Sequence, residues 1–112
     1  MDFSYNNNNV FAKILKGELP SDKIFEDEFC LAFHNIAPEY DVHALVIPKN
    51  PYVNYAHFIQ NASSSEIVGF FKAIDLVSEQ LEISDSYRLI TNYGAKSGQE
   101  VFHFHVHLVR NK

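Results

Sequence analysis

VFHFHVHLV, residues 101–109, places histidine at every second position of a stretch that otherwise reads as core. Successive side chains of a strand point to opposite faces, so the spacing predicts a strand with His103, His105 and His107 on one face and Phe102, Phe104, Val106 and Leu108 on the other. One face is made for packing and the other for chemistry. Before it, YGAKSGQE (93–100) reads as a glycine-containing loop and YRLITN (87–92) as a further strand. DVHALVIPK (41–49) is an apolar β-branched run broken only by His43 and stopped by Pro48 and Pro51, the pattern of a central strand. KIFEDEFCLAFHN (23–35) reads as a hairpin turning at Asp27 and Glu28, with Phe29, Leu31 and Phe33 on one face.

Helical periodicity marks two segments. Val10, Phe11, Ile14 and Leu15 predict a short N-terminal helix, capped by Asn9 and ended by Gly17 and Pro20. Ser63 and Glu66 have capping-box spacing, and Ile67, Phe70, Phe71, Ile74 and Leu81 make the apolar stripe of a long central helix. The expected fold is therefore α+β: an antiparallel sheet of about five strands with one short and one long helix. Residues 1–9, with the run Asn6 to Asn9, are expected as a flexible lead, and 10–112 as a single domain.

Composition narrows the partners. A chain of 112 residues, 46% hydrophobic, suffices for one core and not for two. The net charge of −5 argues against a nucleic-acid partner, whose phosphates call for a broad basic surface. No apolar run is long enough to span a bilayer and MDFSYNNNNV lacks the features of a signal peptide, so the expectation is a cytoplasmic protein with no membrane partner. Cys30 is the single cysteine, which permits no intrachain disulfide and fits a reducing compartment.

The histidines admit three readings. For a metal, the outer pair of a regular strand would lie roughly 13 Å apart at about 3.3 Å per residue, too far to share one ion, so a zinc site would need two of them plus His43 or Cys30. For a phosphate, the line of imidazoles offers several N–H donors and an unprotonated nitrogen, and close spacing discourages simultaneous charging. A free imidazole titrates near pH 6.5, so one can stay neutral and attack phosphorus, splitting a displacement into two steps through a phosphohistidine. The third reading, surface histidines on an edge strand, suits His34 and His57 better than a triple alternation backed by an apolar face.

HFHVHLV matches the histidine triad pattern, and VFAKILKGELPSDKIFEDEFCLAFHNIAPEYDVHALVIPK resembles the N-terminal half of the Hint-like, nucleotide-binding branch of the histidine triad (HIT) family. The resemblance runs from Val10 to Val109. It implies a purine nucleoside phosphoramidase: a nucleotidyl hydrolase or transferase acting on nucleoside 5′-phosphoramidates, needing no cofactor or metal, and usually a homodimer whose two sheets join. By this resemblance His105 is the nucleophile, while His103, His107 and His43 hold and polarise the phosphate and keep the nucleophile's tautomer. Asn92 matches a phosphate or ribose contact and Gln99 a residue near the scissile phosphate, with backbone N–H groups of the Gly98 loop cradling its charge. Asn35 falls at the ribose position, with Ile36 and Phe33 lining the base pocket.

Three departures bear on specificity. The ribose position, an aspartate in such enzymes, is the uncharged Asn35, which donates as well as accepts. Where some members carry a serine that protonates the leaving group, this chain has Glu100. The expectation is also a chain without the longer tail that shapes leaving-group selection in some relatives, since the sequence ends at Lys112. Two other functions fit the same residues: a dinucleoside polyphosphate hydrolase of the family, and a nucleotide-binding module without turnover.

Overall fold

The computed structural model describes residues 3–112; Met1 and Asp2, at the start of the expected lead, lie outside the described residues. The hairpin forms as its sequence predicts. β1 (Lys23–Glu26) and β2 (Cys30–His34) pair antiparallel, and the Asp27 carboxylate closes the turn by accepting from the backbone N–H groups of Phe29 and Cys30 at 2.8 and 2.9 Å. β3 (Val42–Pro48) takes the middle of the sheet. With β4 (Arg88–Ile90) and β5 (Val106–Arg110) the order is β1-β2-β3-β5-β4, every pair antiparallel.

Helices cover the two faces. α1 (Val10–Leu15) starts at Asn9, whose side chain accepts from the Ala12 N–H, and Phe11 packs with Leu31, Phe33, Leu45 and Ile47 on one face of the sheet. α3 (Ser64–Gln80) carries the expected capping box of Ser63 and Glu66. Its buried Phe70, Ala73, Ile74 and Val77 cover the other face, against Cys30, Ala32, Ala44, Val46, Val106 and Leu108. Phe71, expected in that stripe, is 39% exposed, because it lies to one side of the contact line. The periodicity reading also passed over α2 (Tyr55–Asn61), a two-turn helix that delivers one buried ring, Phe58. The described residues thus form three α-helices rather than the two expected, and the glycine loop contains a 3-10 turn at Ala95–Ser97.

Two registers differ from the sequence reading. The ladder of the histidine segment begins only at Val106, five residues after the start of the predicted strand. Upstream of it, Phe104 donates its N–H to Tyr52 O at 2.6 Å and Thr91 Oγ1 donates to His105 O at 2.8 Å, so loop contacts hold the chain there. Alternation survives from His103 to Leu108, but Phe102 leaves it and is 42% exposed. Phe29 likewise departs from the face of Leu31 and Phe33. It sits in the turn before β2, with its ring against Gly69 of α3.

That contact explains a glycine inside a helix. A Cβ at position 69 would fall within the Phe29 ring. Gly69→Ala should therefore lower stability by about 1–2 kcal/mol in urea denaturation, since the overlap outweighs the ~1 kcal/mol that alanine gains in helix propensity.

Candidate active site

β3 and β5 bring the first pair of imidazoles together. His43 stands opposite Val109 and His107 opposite Leu45, so both rings emerge from the same face of neighbouring strands. They meet with His43 Nε2 and His107 Nδ1 2.9 Å apart. The backbone N–H of Glu39 donates to His43 Nδ1 at 3.1 Å, which leaves the His43 proton on Nε2. His43 Nε2–H then donates to His107 Nδ1, and a neutral His107 carries its own proton on Nε2. Asn35 Nδ2 also lies 3.2 Å from His43 Nε2, but two donors face each other there. The Asn35 Oδ1 is committed to the Ala37 N–H at 3.0 Å, so the amide offers the site N–H groups only.

His105 has the opposite tautomer. Its Nδ1–H donates to the carbonyl of His103 at 2.8 Å, which frees the Nε2 lone pair. Phe11 meets its ring edge-on with centroids 5.0 Å apart, and the His107 ring lies 5.2 Å away. A lone pair on His105 and an N–H on His107 thus line one cavity of about 1050 Å³, together with His43. The space suits a ligand of nucleotide size.

His103 plays a different part. It is wholly buried and off the cavity wall, donating from Nε2 to Pro48 O at 2.8 Å and accepting at Nδ1 from the Tyr5 hydroxyl at 2.5 Å. It holds the backbone that holds His105, and both ring nitrogens are spent on protein partners.

Of the other residues singled out in the sequence, Asn35, Ile36, Phe33, Asn92 and Gly98 line the cavity. Gln99 does not. It is buried, with Nε2 donating to Val53 O at 2.8 Å and Val101 O at 3.1 Å while Oε1 accepts from Gly94 N–H at 2.9 Å, so it clasps two loops. The expected anion cradle is altered too. The N–H groups of Ser97, Gly98 and Gln99 bond to Gly94 O or Ala95 O within the 3-10 turn, and those donors are used up. Asn92 Nδ2 braces the same loop through Ser97 O at 2.9 Å. Sequence reasoning missed Tyr5, Phe11 and the Pro48 carbonyl as supports of the histidines. An aromatic in a helix and a proline at a strand end carry no local sign of such a role.

Burial sets the protonation of these rings. Desolvation lowers the pKa of His43, His103, His105 and His107 alike, pushing His103 and His107 down to about 4, with repulsion from His105 adding to both. Among the described residues no group of three or more His, Cys, Asp or Glu is arranged to hold a metal ion. Cys30 lies in the core under α3, its thiol pushed up to about 12 by burial.

The fold and the cavity define a small α+β protein that presents a neutral imidazole lone pair and an imidazole N–H to one ligand. The chain belongs to the HIT family: the HIT domain matches residues 16–112. It is 51% identical over 109 residues to a HIT-like protein of Rickettsia prowazekii, covering 96% of this chain and 91% of the relative. Among solved structures, a HIT family hydrolase from Clostridium thermocellum superposes with a TM-score of 0.83 at 40% identity, covering 96% of this chain and 93% of that one. A HIT family hydrolase from Legionella pneumophila gives 0.86 at 32% identity, with 94% of each chain covered.

Stability should follow the buried imidazoles. Their folded pKa values lie below the ordinary 6.5, so the unfolded chain binds more protons than the folded one between that value and about 4. The histidine contribution is complete above the ordinary value and is lost as pH falls through this window. Thermal unfolding should show it as a declining Tm, and the ring signals of His103 and His107 should stay those of neutral imidazole down to about pH 4 in NMR titration.

Proposed function

We propose that the protein is a nucleotidyl hydrolase or transferase that cleaves nucleoside 5′-phosphoramidates through a nucleotidyl-histidine intermediate. The observation that carries this reading is the pair of opposite tautomers, His105 Nε2 unprotonated and His107 Nε2 protonated, on one cavity wall. His105 Nε2 attacks the α-phosphorus. As the new N–P bond forms, the P–N bond to the leaving amine breaks, and the amine takes the His107 Nε2 proton. Water then attacks phosphorus, the P–Nε2 bond to His105 breaks and returns its electron pair to that nitrogen, a water proton returns to His107, and the nucleoside 5′-monophosphate departs. The hydrolase names of the two structural neighbours support hydrolysis as the reaction class.

The purine nucleoside would rest against the apolar end of the cavity. Ile36 is 99% exposed at its rim, and an apolar side chain so placed gains by being covered by a flat base, with Phe33 behind it. Asn35, which offers N–H groups, would then meet the sugar. A homodimer joined through β4 fits the edges of the sheet. Lys23, Lys49 and Glu26 blunt the β1 edge with ion pairs, whereas β4 exposes Leu89 at 46%.

Release of AMP from adenosine 5′-phosphoramidate tests the reaction. Turnover should persist in chelator and fall at least about a thousandfold in His105→Ala, with nucleotide binding kept within severalfold. Absence of turnover with binding intact would reassign the protein as a binding module, and preferential cleavage of a dinucleoside polyphosphate would reassign the substrate. Leu89→Lys should shift the protein from dimer to monomer in sedimentation, and an unchanged mass would refute the β4 seam.

A further inference from the structure

We propose that Tyr5 is a positioning residue of the histidine site, its hydroxyl holding His103 in the orientation from which the His103 carbonyl fixes the tautomer of His105. This rests on His105 being the nucleophile. Tyr5 lies outside the residues 16–112 that match the HIT domain and inside the stretch that its own sequence suggests is a lead.

The hydroxyl donates to His103 Nδ1, and the two rings meet edge-to-face with centroids 5.6 Å apart. From the opposite side of the ring His103 Nε2 donates to Pro48 O, so two bonds on opposite nitrogens fix its plane. The carbonyl of that same residue takes the His105 Nδ1–H. Tyr5 is tethered in turn. The chain runs from it in four residues to Asn9, the cap of α1, and Phe11 of α1 meets both His103 and His105 edge-on, with centroids 6.4 and 5.0 Å apart. Two residues earlier Phe3 stacks on His57 at 4.6 Å with the planes 8° apart, which gives the segment a second anchor away from the histidine site.

Without the hydroxyl, His103 Nδ1 would face a dry interior with no donor. Taking up a second proton there is opposed by burial, which already holds this ring to a pKa of about 4. The remaining escapes are to turn the ring or to move its proton to Nδ1, and each gives up Pro48 O and shifts the His103 peptide. A loosened carbonyl lets His105 exchange to the Nε2–H form, in which the attacking lone pair is gone.

Tyr5→Phe keeps the ring and removes only the hydroxyl. Long-range 1H–15N spectra of the imidazoles should show His105 as Nδ1–H in the wild type and as a mixture in Tyr5→Phe. With adenosine 5′-phosphoramidate kcat should fall roughly tenfold, the scale of one hydrogen bond left unmade to a buried group, with KM within about twofold. Phe3→Ala loosens the other anchor while keeping the hydroxyl, and should lower Tm without altering the His105 signals. The proposal is overturned if Tyr5→Phe loses only Tm while the His105 signals and kcat stay at wild-type values, or if Phe3→Ala reproduces the same tautomer mixture. Should the wild type fail to turn over the phosphoramidate, the nucleophile reading falls by itself, and the ring signals still decide whether Tyr5 sets the tautomer.

Discussion

The site depends on the anchoring of Phe104, the residue between two of its histidines. Its ring stacks on Phe58 of α2 at 4.8 Å and leans on Phe70 of α3 at 5.5 Å, and its backbone N–H bonds to Tyr52 O. Because neighbouring side chains in extended backbone point to opposite sides, driving Phe104 into the face covered by α2 and α3 sends His103 and His105 to the face of α1. Among the described residues the segment has no ladder partner at that point, since β5 begins at Val106. Aromatic packing therefore does there what strand pairing does further along, and α2, a short helix, matters because it supplies Phe58.

On the histidine face the controlling quantity is where each proton sits. Burial keeps the imidazoles neutral, and a neutral imidazole has one donor and one acceptor, so a single committed partner decides the other nitrogen. The partners that decide are mostly main-chain groups: Glu39 N–H for His43, His103 C=O for His105, Pro48 C=O for His103. These groups cannot titrate or rotate away. The result is a pair of complementary nitrogens facing one cavity, prepared before any ligand arrives.

Much of the fold is legible in local sequence. The hairpin follows from Asp27 between two apolar runs, α3 from its capping box, and the central place of β3 from an apolar run closed by prolines. The misreadings have local causes. Phe71 and Phe102 satisfy an apolar pattern yet lie outside the buried stripe, and Phe29 sits in a turn whose side-chain direction strand alternation does not govern. α2 is too short, and too polar along YAHFIQN, for periodicity to register.

The candidate site divides the same way. His105 and His107 are marked by their alternate spacing and His43 by interrupting an apolar run, while the β3–β5 register that joins His43 to His107 is set by the sheet, and the cavity position of Asn35, Phe33 and Ile36 follows from the end of the hairpin. Gln99, His103 and the Gly98 loop look equally functional in sequence, yet the structure spends their polar groups on protein partners, and Tyr5 carries no mark at all. By itself the sequence determined which side chains alternate, which segments are helical or extended, and that imidazoles crowd one face, because those are consequences of backbone geometry over a few residues. Only the tertiary structure decided which nitrogen of each imidazole bears the proton and which groups face the ligand, because those depend on hydrogen bonds between residues as far apart in the chain as Tyr5 and His103.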